Sequence, residues 1–63
     1  MAFADWMKKE REEKGWSQKR LAAEAKISHS TISLLECRKT TPMEYTIRMV
    51  CRALGKAYTI EAV

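Results

Sequence analysis

The sequence predicts an all-α fold, a bundle of about four helices followed by a short C-terminal β-strand. Only two Gly and one Pro interrupt the 63 residues, so long segments are free to form helices. Helix start and stop signals divide most of the chain into four segments, and residues 56–63 change to the alternating pattern of a strand. Hydrophobic residues make up 46% and charged residues 32%, which is typical of an ordinary globular domain.

The length of the chain allows one small domain. A chain of this size buries only about 60% of the surface that it exposes when unfolded, so its core is thin and association with a second copy is favoured. We expect the helical domain to span residues 1–55 and the strand to span residues 56–63.

The first helix is predicted over residues 2–14, which contain no Gly, Pro or β-branched residue. Phe3 and Met7 form an apolar stripe along it, with Trp6 beside them. The segment ends at Gly15, a residue that suits the end of a helix because it readily adopts a positive φ.

Two short helices are predicted next, each introduced by a serine. Ser17 precedes residues 18–25 and Ser28 precedes residues 29–37, and each hydroxyl is placed to accept a hydrogen bond from the first turn. About three residues separate the two helices, which predicts a steep crossing. This is the geometry of a helix-turn-helix. Taken alone, it favours DNA binding and an ordinary corner of a helical bundle about equally.

The fourth helix is predicted to begin at Thr41, Pro42 and Glu44, a pattern typical of a capping residue, a first-turn proline and a capping box. Apolar residues then follow at helical spacing up to Gly55; they are Ile47, Val50, Cys51 and Leu54. From Ala57 onward the residues alternate, which predicts the C-terminal strand.

The charge balance favours an anionic partner. The formal net charge is +4 and the isoelectric point is about 9.3. Residues 1–25 hold six basic and five acidic side chains, whereas residues 26–63 hold six basic and only three acidic ones. The positive field is therefore expected in the middle and at the end of the chain.

Several classes of protein are not expected. No apolar run approaches the roughly 20 residues that cross a bilayer, and no signal-like segment is present, which predicts a cytoplasmic protein with Cys37 and Cys51 as free thiols. We expect no metal or cofactor, because the cysteines and His29 lack the spacing of zinc ligands. His29 has no nucleophile or carboxylate arrangement around it, so an enzyme is not expected either.

Residues in register through four helices resemble the phage repressor and Cro family, also called the XRE family. They include Ser-Gln-x-x-Leu-Ala from Ser17 and Ile-Ser-x-x-x-Ile-Ser-x-x-Glu from Ile27. The resemblance covers about residues 3–55, and its positions are Gln18, Leu21, Ala22, Ile27, Ser28, Ile32, Ser33, Glu36, Lys39, Pro42 and residues 52–55. It implies a lambda-repressor-like bundle that binds double-stranded DNA, and it outweighs the bundle-corner alternative.

Base contacts are implied by the resemblance at five positions of the third helix, namely Ser28, His29, Ser30, Ser33 and Leu34. Their chemistry suits a major groove, since His29 can donate to or accept from purine edges and Leu34 can contact a thymine methyl. None of them offers the bidentate grip of Arg on guanine. We therefore expect modest direct readout, supplemented by DNA shape.

Contacts to the DNA backbone are predicted at the start of the second helix and in the loops on either side of the third; the residues are Gln18, Lys19, Lys26, Arg38, Lys39 and Thr40. Two of these positions depart from the family, which usually has Gly where this chain has Lys26 and Arg38. A left-handed backbone at either residue would cost of order 1 kcal/mol. Both substitutions add positive charge where phosphates would pass.

Arg11 and Glu36 occupy positions that form a buried or half-buried salt bridge in the family. The resemblance thus implies that this pair ties the first helix to the end of the third. We interpret it as structural and do not expect Glu36 to repel DNA.

The resulting hypothesis is a transcriptional repressor that binds an inverted-repeat operator as a homodimer. The tail would pair with its copy across the two-fold axis, as in the similar HipB-type antitoxins, and the dimerisation residues would be Tyr58, Thr59, Ile60, Glu61 and Val63. A frayed tail is the alternative for this segment. The alternative function is an antitoxin that binds a toxin protein and represses its own operon.

Overall fold

The computed structural model describes residues 2–58 and forms four helices. They are α1 (Phe3–Glu13), α2 (Gln18–Ala25), α3 (His29–Glu36) and α4 (Glu44–Leu54). The all-α fold is confirmed, and residues 2–58 contain no strand. None of the helices in this range is long and apolar enough to cross a membrane. Most of the predicted C-terminal strand, residues 59–63, lies outside the described residues.

Serine caps start the two central helices, as predicted. The Oγ of Ser17 accepts from the amide of Arg20 at 3.0 Å, and the Oγ of Ser28 accepts from the amide of Thr31 at 3.1 Å. The chain between α2 and α3 is therefore residues 26–28. A loss of either cap would leave an unpaired amide in the first turn.

The predicted start of α4 is wrong by two residues. Met43 has the extended backbone of a residue that precedes a helix, with φ −83° and ψ 155°, and α4 begins at Glu44. Glu44 is thus the first residue of the helix, too early to close a capping box with Thr41. Its carboxylate instead accepts from the Nη2 of Arg48, one turn later, at 2.8 Å.

All four helices are followed by a residue in the left-handed backbone region. Gly15 and Gly55 have φ +71°, and Lys26 and Arg38 have φ +59°. At each end the following amide reaches back to the helix, for example from Ile27 to the carbonyl of Ala22 at 3.1 Å. Helices α2 and α3 are thus followed by basic left-handed residues, and α1 and α4 by glycine.

The core lies where the four helices meet. It consists of nine buried hydrophobic residues, Phe3, Met7, Leu21, Ala22, Ala25, Ile32, Leu35, Val50 and Leu54. The small Ala22 and Ala25 side chains lie in this core on α2, the helix that packs most extensively on α3. Cys51, one of the apolar residues at helical spacing in α4, is only half-buried.

The last described residue folds back onto the first helix. The Tyr58 ring lies 5.1 Å from the Phe3 ring in an edge-on arrangement and 5.1 Å from the Trp6 ring. Next to this aromatic cluster, the Nζ of Lys56 lies 2.8 Å from the Oε1 of the buried Glu10. Tyr58 therefore packs against the core of its own chain.

Candidate nucleic-acid interface

Helix α3 has one face in the core and one face in solvent. Ile32 and Leu35 are buried, with exposed fractions of 0% and 2%. The five predicted base-contacting residues lie away from this buried face. Four are exposed and Ser33 is half-buried; the exposed ones are Ser28, His29, Ser30 and Leu34. The structure therefore brings these residues together on one continuous, accessible surface.

Ser28 is more constrained than the other members of this set. Its Oγ accepts from the Thr31 amide and also lies 2.7 Å from the Thr31 hydroxyl. A hydroxyl that caps its own helix has less freedom to turn toward a base edge. His29 and Ser30, which follow in the first turn, are exposed. The hydrogen bond between the Thr31 and Ser28 hydroxyls was not predicted from sequence, because it depends on the Ser28 side-chain rotamer.

The N-terminal ends of α2 and α3 are suited to phosphate. The described first turns of these two helices hold no acidic residue, whereas the first turns of α1 and α4 hold Asp5 and Glu44. A helix N-terminus attracts an anion through its free amides and its dipole, and a nearby carboxylate would oppose that attraction. Lys19, in the first turn of α2, is exposed and adds positive charge there.

The predicted pair of Arg11 and Glu36 links α1 to the end of α3. The Nε and Nη2 of Arg11 donate to the two Glu36 carboxylate oxygens at 2.7 and 3.0 Å. A third Arg11 donor, Nη1, bonds the carbonyl of Trp16 at 2.7 Å. The side chains are only 12% and 4% exposed, so the bridge is largely shielded from water.

Gln18 also joins this network, which the sequence did not predict. Its Nε2 donates to the Oε1 of Glu36 at 3.0 Å. An amide nitrogen carries two hydrogens, so one donor remains for a phosphate oxygen after this bond is made. Gln18 is half-buried at the start of α2. The contact fixes its side chain beside the N-terminus of that helix.

The same network lowers the pKa of Glu36. Burial alone would raise the pKa of this carboxyl, but the hydrogen bonds from Arg11 and Gln18 outweigh burial and bring it below its ordinary value. The hydrogen bond to Glu36 raises the pKa of Arg11 in turn. The pair is therefore ionised at neutral pH, and its charge is internally compensated.

We predict that this pKa shift makes the domain sensitive to acid. A carboxyl with a depressed folded-state pKa contributes its full stability above its unfolded pKa, about 4.3 for Glu. That contribution is lost as the pH falls from there through the lower folded-state pKa of Glu36. Thermal unfolding between pH 7 and pH 3, followed by circular dichroism, should show a Tm that falls mainly below about pH 4.5. A Glu36→Gln variant that still folds should have a flatter profile, and an equal acid dependence in both proteins would contradict the assignment.

Basic residues lie in the chain on both sides of α3. Lys26 precedes it and Arg38 follows it, both in the left-handed conformation that the family usually gives to Gly. Lys39 and Thr40 continue the loop after α3, and all four residues are exposed. The predicted backbone contacts are thus accessible at both ends of the helix.

One of these residues has a partner that sequence reasoning missed. The Nη2 of Arg38 donates to the Oδ2 of Asp5, in the first turn of α1. The Glu10 to Lys56 pair was missed as well. Both pairs join residues far apart in the chain, and no local spacing signals them.

A depression separates α3 from the loop and the start of α4. Leu34, a predicted base contact, and Thr40, a predicted backbone contact, both line it, and the remaining lining residues are Thr31, Leu35, Thr41, Pro42, Met43 and Thr46.

Among residues 2–58, no group of three or more His, Cys, Asp or Glu side chains is arranged to hold a metal ion. Cys37 and Cys51 are free thiols.

A short turn between α2 and α3, an exposed α3 surface and basic loops at both of its ends are the features of a helix-turn-helix domain. A family model described as Helix-turn-helix matches residues 7–59, most of the chain. The chain belongs to the XRE-type helix-turn-helix family, a family of DNA-binding transcription regulators rather than of enzymes. No curated protein and no solved structure matches it.

Proposed function

We propose that this regulator is a repressor that reads a specific DNA sequence with the exposed side of α3. The observation that carries the proposal is the placement of Lys26 and Arg38. Each holds a left-handed backbone conformation that costs a non-Gly residue of order 1 kcal/mol, and each adds a positive charge at one end of α3. Non-Gly residues held in this sparsely populated backbone region cluster at functional sites, so two of them at the ends of α3 support a binding role for this face.

The contacts divide into two kinds. His29, Ser30, Ser33 and Leu34 face outward from α3 and would meet base edges in a major groove about 12 Å wide. Lys19, Lys26, Arg38, Lys39 and the remaining donor of Gln18 would bind phosphates on either side. Glu36 does not oppose this arrangement, because its charge is balanced by Arg11.

The repressor acts in our proposal as a homodimer on an inverted repeat. The side chains on the α3 surface are small, and each offers a weak hydrogen bond or an apolar contact, so one copy would discriminate poorly between sequences. Two copies double the contacts when their α3 helices are about 34 Å apart, one turn of B-DNA. Tyr58 packs on Phe3 and Trp6 of its own chain, and the other proposed dimerisation residues, Thr59, Ile60, Glu61 and Val63, lie outside the described residues.

Nuclease protection of the DNA just upstream of the gene tests this proposal. The purified protein should protect an inverted repeat with half-site centres near 10 base pairs apart. The logarithm of its affinity should fall linearly with the logarithm of salt concentration, with a slope of about −0.9 for each phosphate contacted. A shallow slope together with uniform protection of every sequence would remove the repressor proposal.

Variants at two positions separate base reading from backbone binding. His29→Ala should weaken binding to the protected site by about 1 to 3 kcal/mol and leave binding to random DNA almost unchanged. Lys39→Ala should weaken both by a similar factor and make the salt slope shallower by about 1. Fluorescence anisotropy with labelled duplexes measures both effects. If His29→Ala weakened both duplexes equally, His29 would not be a base reader.

An antitoxin that represses its own operon is our second candidate. Met43 and Tyr45 favour it, since 67% and 61% of their surface is exposed and neither belongs to the predicted DNA-contacting set. Exposed apolar side chains suit a protein partner such as a toxin. Met43→Ser and Tyr45→Ser should then weaken the complex with a toxin encoded beside this gene, with no change in the salt slope for DNA.

A further inference from the structure

Arg38 is held by an acidic residue from another helix before any DNA arrives. Its Nη2 donates to the Oδ2 of Asp5, and the two residues are 33 positions apart in sequence. Both side chains stay open to solvent, with exposed fractions of 62% for Arg38 and 48% for Asp5. The hydrogen bond from Arg38 lowers the pKa of Asp5, which keeps the carboxyl charged.

A phosphate and the Asp5 carboxylate would compete for the same guanidinium. Arg binds carboxylates and phosphates with the same planar set of N–H donors, and it binds either one best with two parallel hydrogen bonds. Each anion would also repel the other if both approached together. A phosphate that reaches Arg38 therefore has to displace Asp5 or tolerate its charge.

We propose that Asp5 is an internal competitor for Arg38, so that DNA binding exchanges a carboxylate for a phosphate at this residue. This inference rests on the proposed DNA-binding role of the loop after α3. It makes Asp5 a positioning residue that lowers affinity for every sequence. Asp5 would thereby leave a larger share of the total affinity to the base contacts of α3.

The other exposed arginine pairs of the described chain provide controls. Arg20 pairs with Glu24 at 3.0 Å and Arg48 pairs with Glu44 at 2.8 Å, each within one helix at a spacing of four residues. The pair of Asp5 and Arg38 differs because it joins α1 to the loop beside α3. Asp5→Asn and Glu24→Gln each remove one negative charge from an exposed pair, so they change the net charge equally.

The test measures the affinity of the full chain for random duplex DNA in the wild type and in four variants. Asp5→Asn should tighten binding about two- to fivefold more than Glu24→Gln does. Arg38→Gln should weaken binding, and in the double variant Asp5→Asn with Arg38→Gln the extra gain from Asp5→Asn should disappear. Circular dichroism at each step verifies that the variants keep the helical fold.

The outcomes separate the competitor role of Asp5 from the proposed DNA-binding function on which it rests. An equal gain from Asp5→Asn and Glu24→Gln, a loss of affinity in Asp5→Asn, or a gain that persists without Arg38 would each overturn the competitor role while leaving DNA binding intact. A wild-type chain that shows no salt-dependent binding to any duplex would instead overturn the proposed function itself.

Discussion

Replacing Arg11 with Met should destabilise the domain by about 3 to 5 kcal/mol. Met has a similar reach and is itself a good helix former, so the loss falls on the interactions of the guanidinium. Three donors disappear at once, two from the Glu36 carboxylate and one from the Trp16 carbonyl. Glu36, whose side chain is only 4% exposed beside Arg11, would keep the hydrogen bond from Gln18 but lose its ion-pair partner.

This loss is large for a chain of 63 residues. Domains are stable by roughly 0.05 to 0.15 kcal/mol per residue, which gives about 3 to 9 kcal/mol here. Urea denaturation followed at 222 nm should therefore show a fraction of unfolded Arg11→Met without denaturant, or a midpoint close to zero.

Arg48→Met is the matched control. Arg48 pairs with Glu44 on the surface of α4, where the two side chains are 74% and 85% exposed. An exposed pair at this spacing contributes only about 0.3 to 0.5 kcal/mol, so the control should unfold almost like the wild type. Equal losses in Arg11→Met and Arg48→Met would show that the buried network does not hold α1 to α3.

Replacing Ile32 with Ala should cost about 2 to 5 kcal/mol of stability. Ile32 is fully buried on the inner side of α3. Truncation leaves a cavity beneath the surface that would face DNA, and the neighbouring core side chains can only partly fill it. DNA binding should fall with the folded population.

Leu34→Ala, two residues along the same helix, is expected to behave in the opposite way. Leu34 is 44% exposed, so its truncation should change stability by less than about 0.5 kcal/mol. It should nevertheless weaken binding to a site with a thymine at the contacted position. A large stability loss in Leu34→Ala with little loss in Ile32→Ala would mean that α3 is rotated and the proposed surface is misplaced.

Local signals predicted most of the helices. Ser17 and Ser28 form the predicted side-chain caps, and Gly15 and Gly55 follow their helices with positive φ. These features depend on a few neighbouring residues, which the sequence displays directly. The start of α4 was harder, because Thr41 and Pro42 carry strong start signals but Met43 holds an extended backbone after them.

The residues of the candidate site were predicted, but most of the side-chain contacts between its elements were not. The exposure of His29 and the pairing of Arg11 with Glu36 follow the resemblance to a known family. The contacts of Gln18 with Glu36 and of Asp5 with Arg38 depend on how α1, α2 and the end of α3 pack together. No periodicity contains that information, because each contact joins separate elements through flexible side chains.

The aromatic cluster at the chain ends gives the protein an optical signal of its own. Tyr58 lies within 5.1 Å of the Trp6 indole, close enough for efficient transfer of excitation between the rings. Trp16 lies elsewhere, beside Lys14 and Arg20, whose cationic groups are 5.2 and 4.9 Å from its ring. Displacement of Tyr58 would change the emission of Trp6 selectively, so a Trp16→Phe variant would report on the packing of Tyr58 without any attached dye.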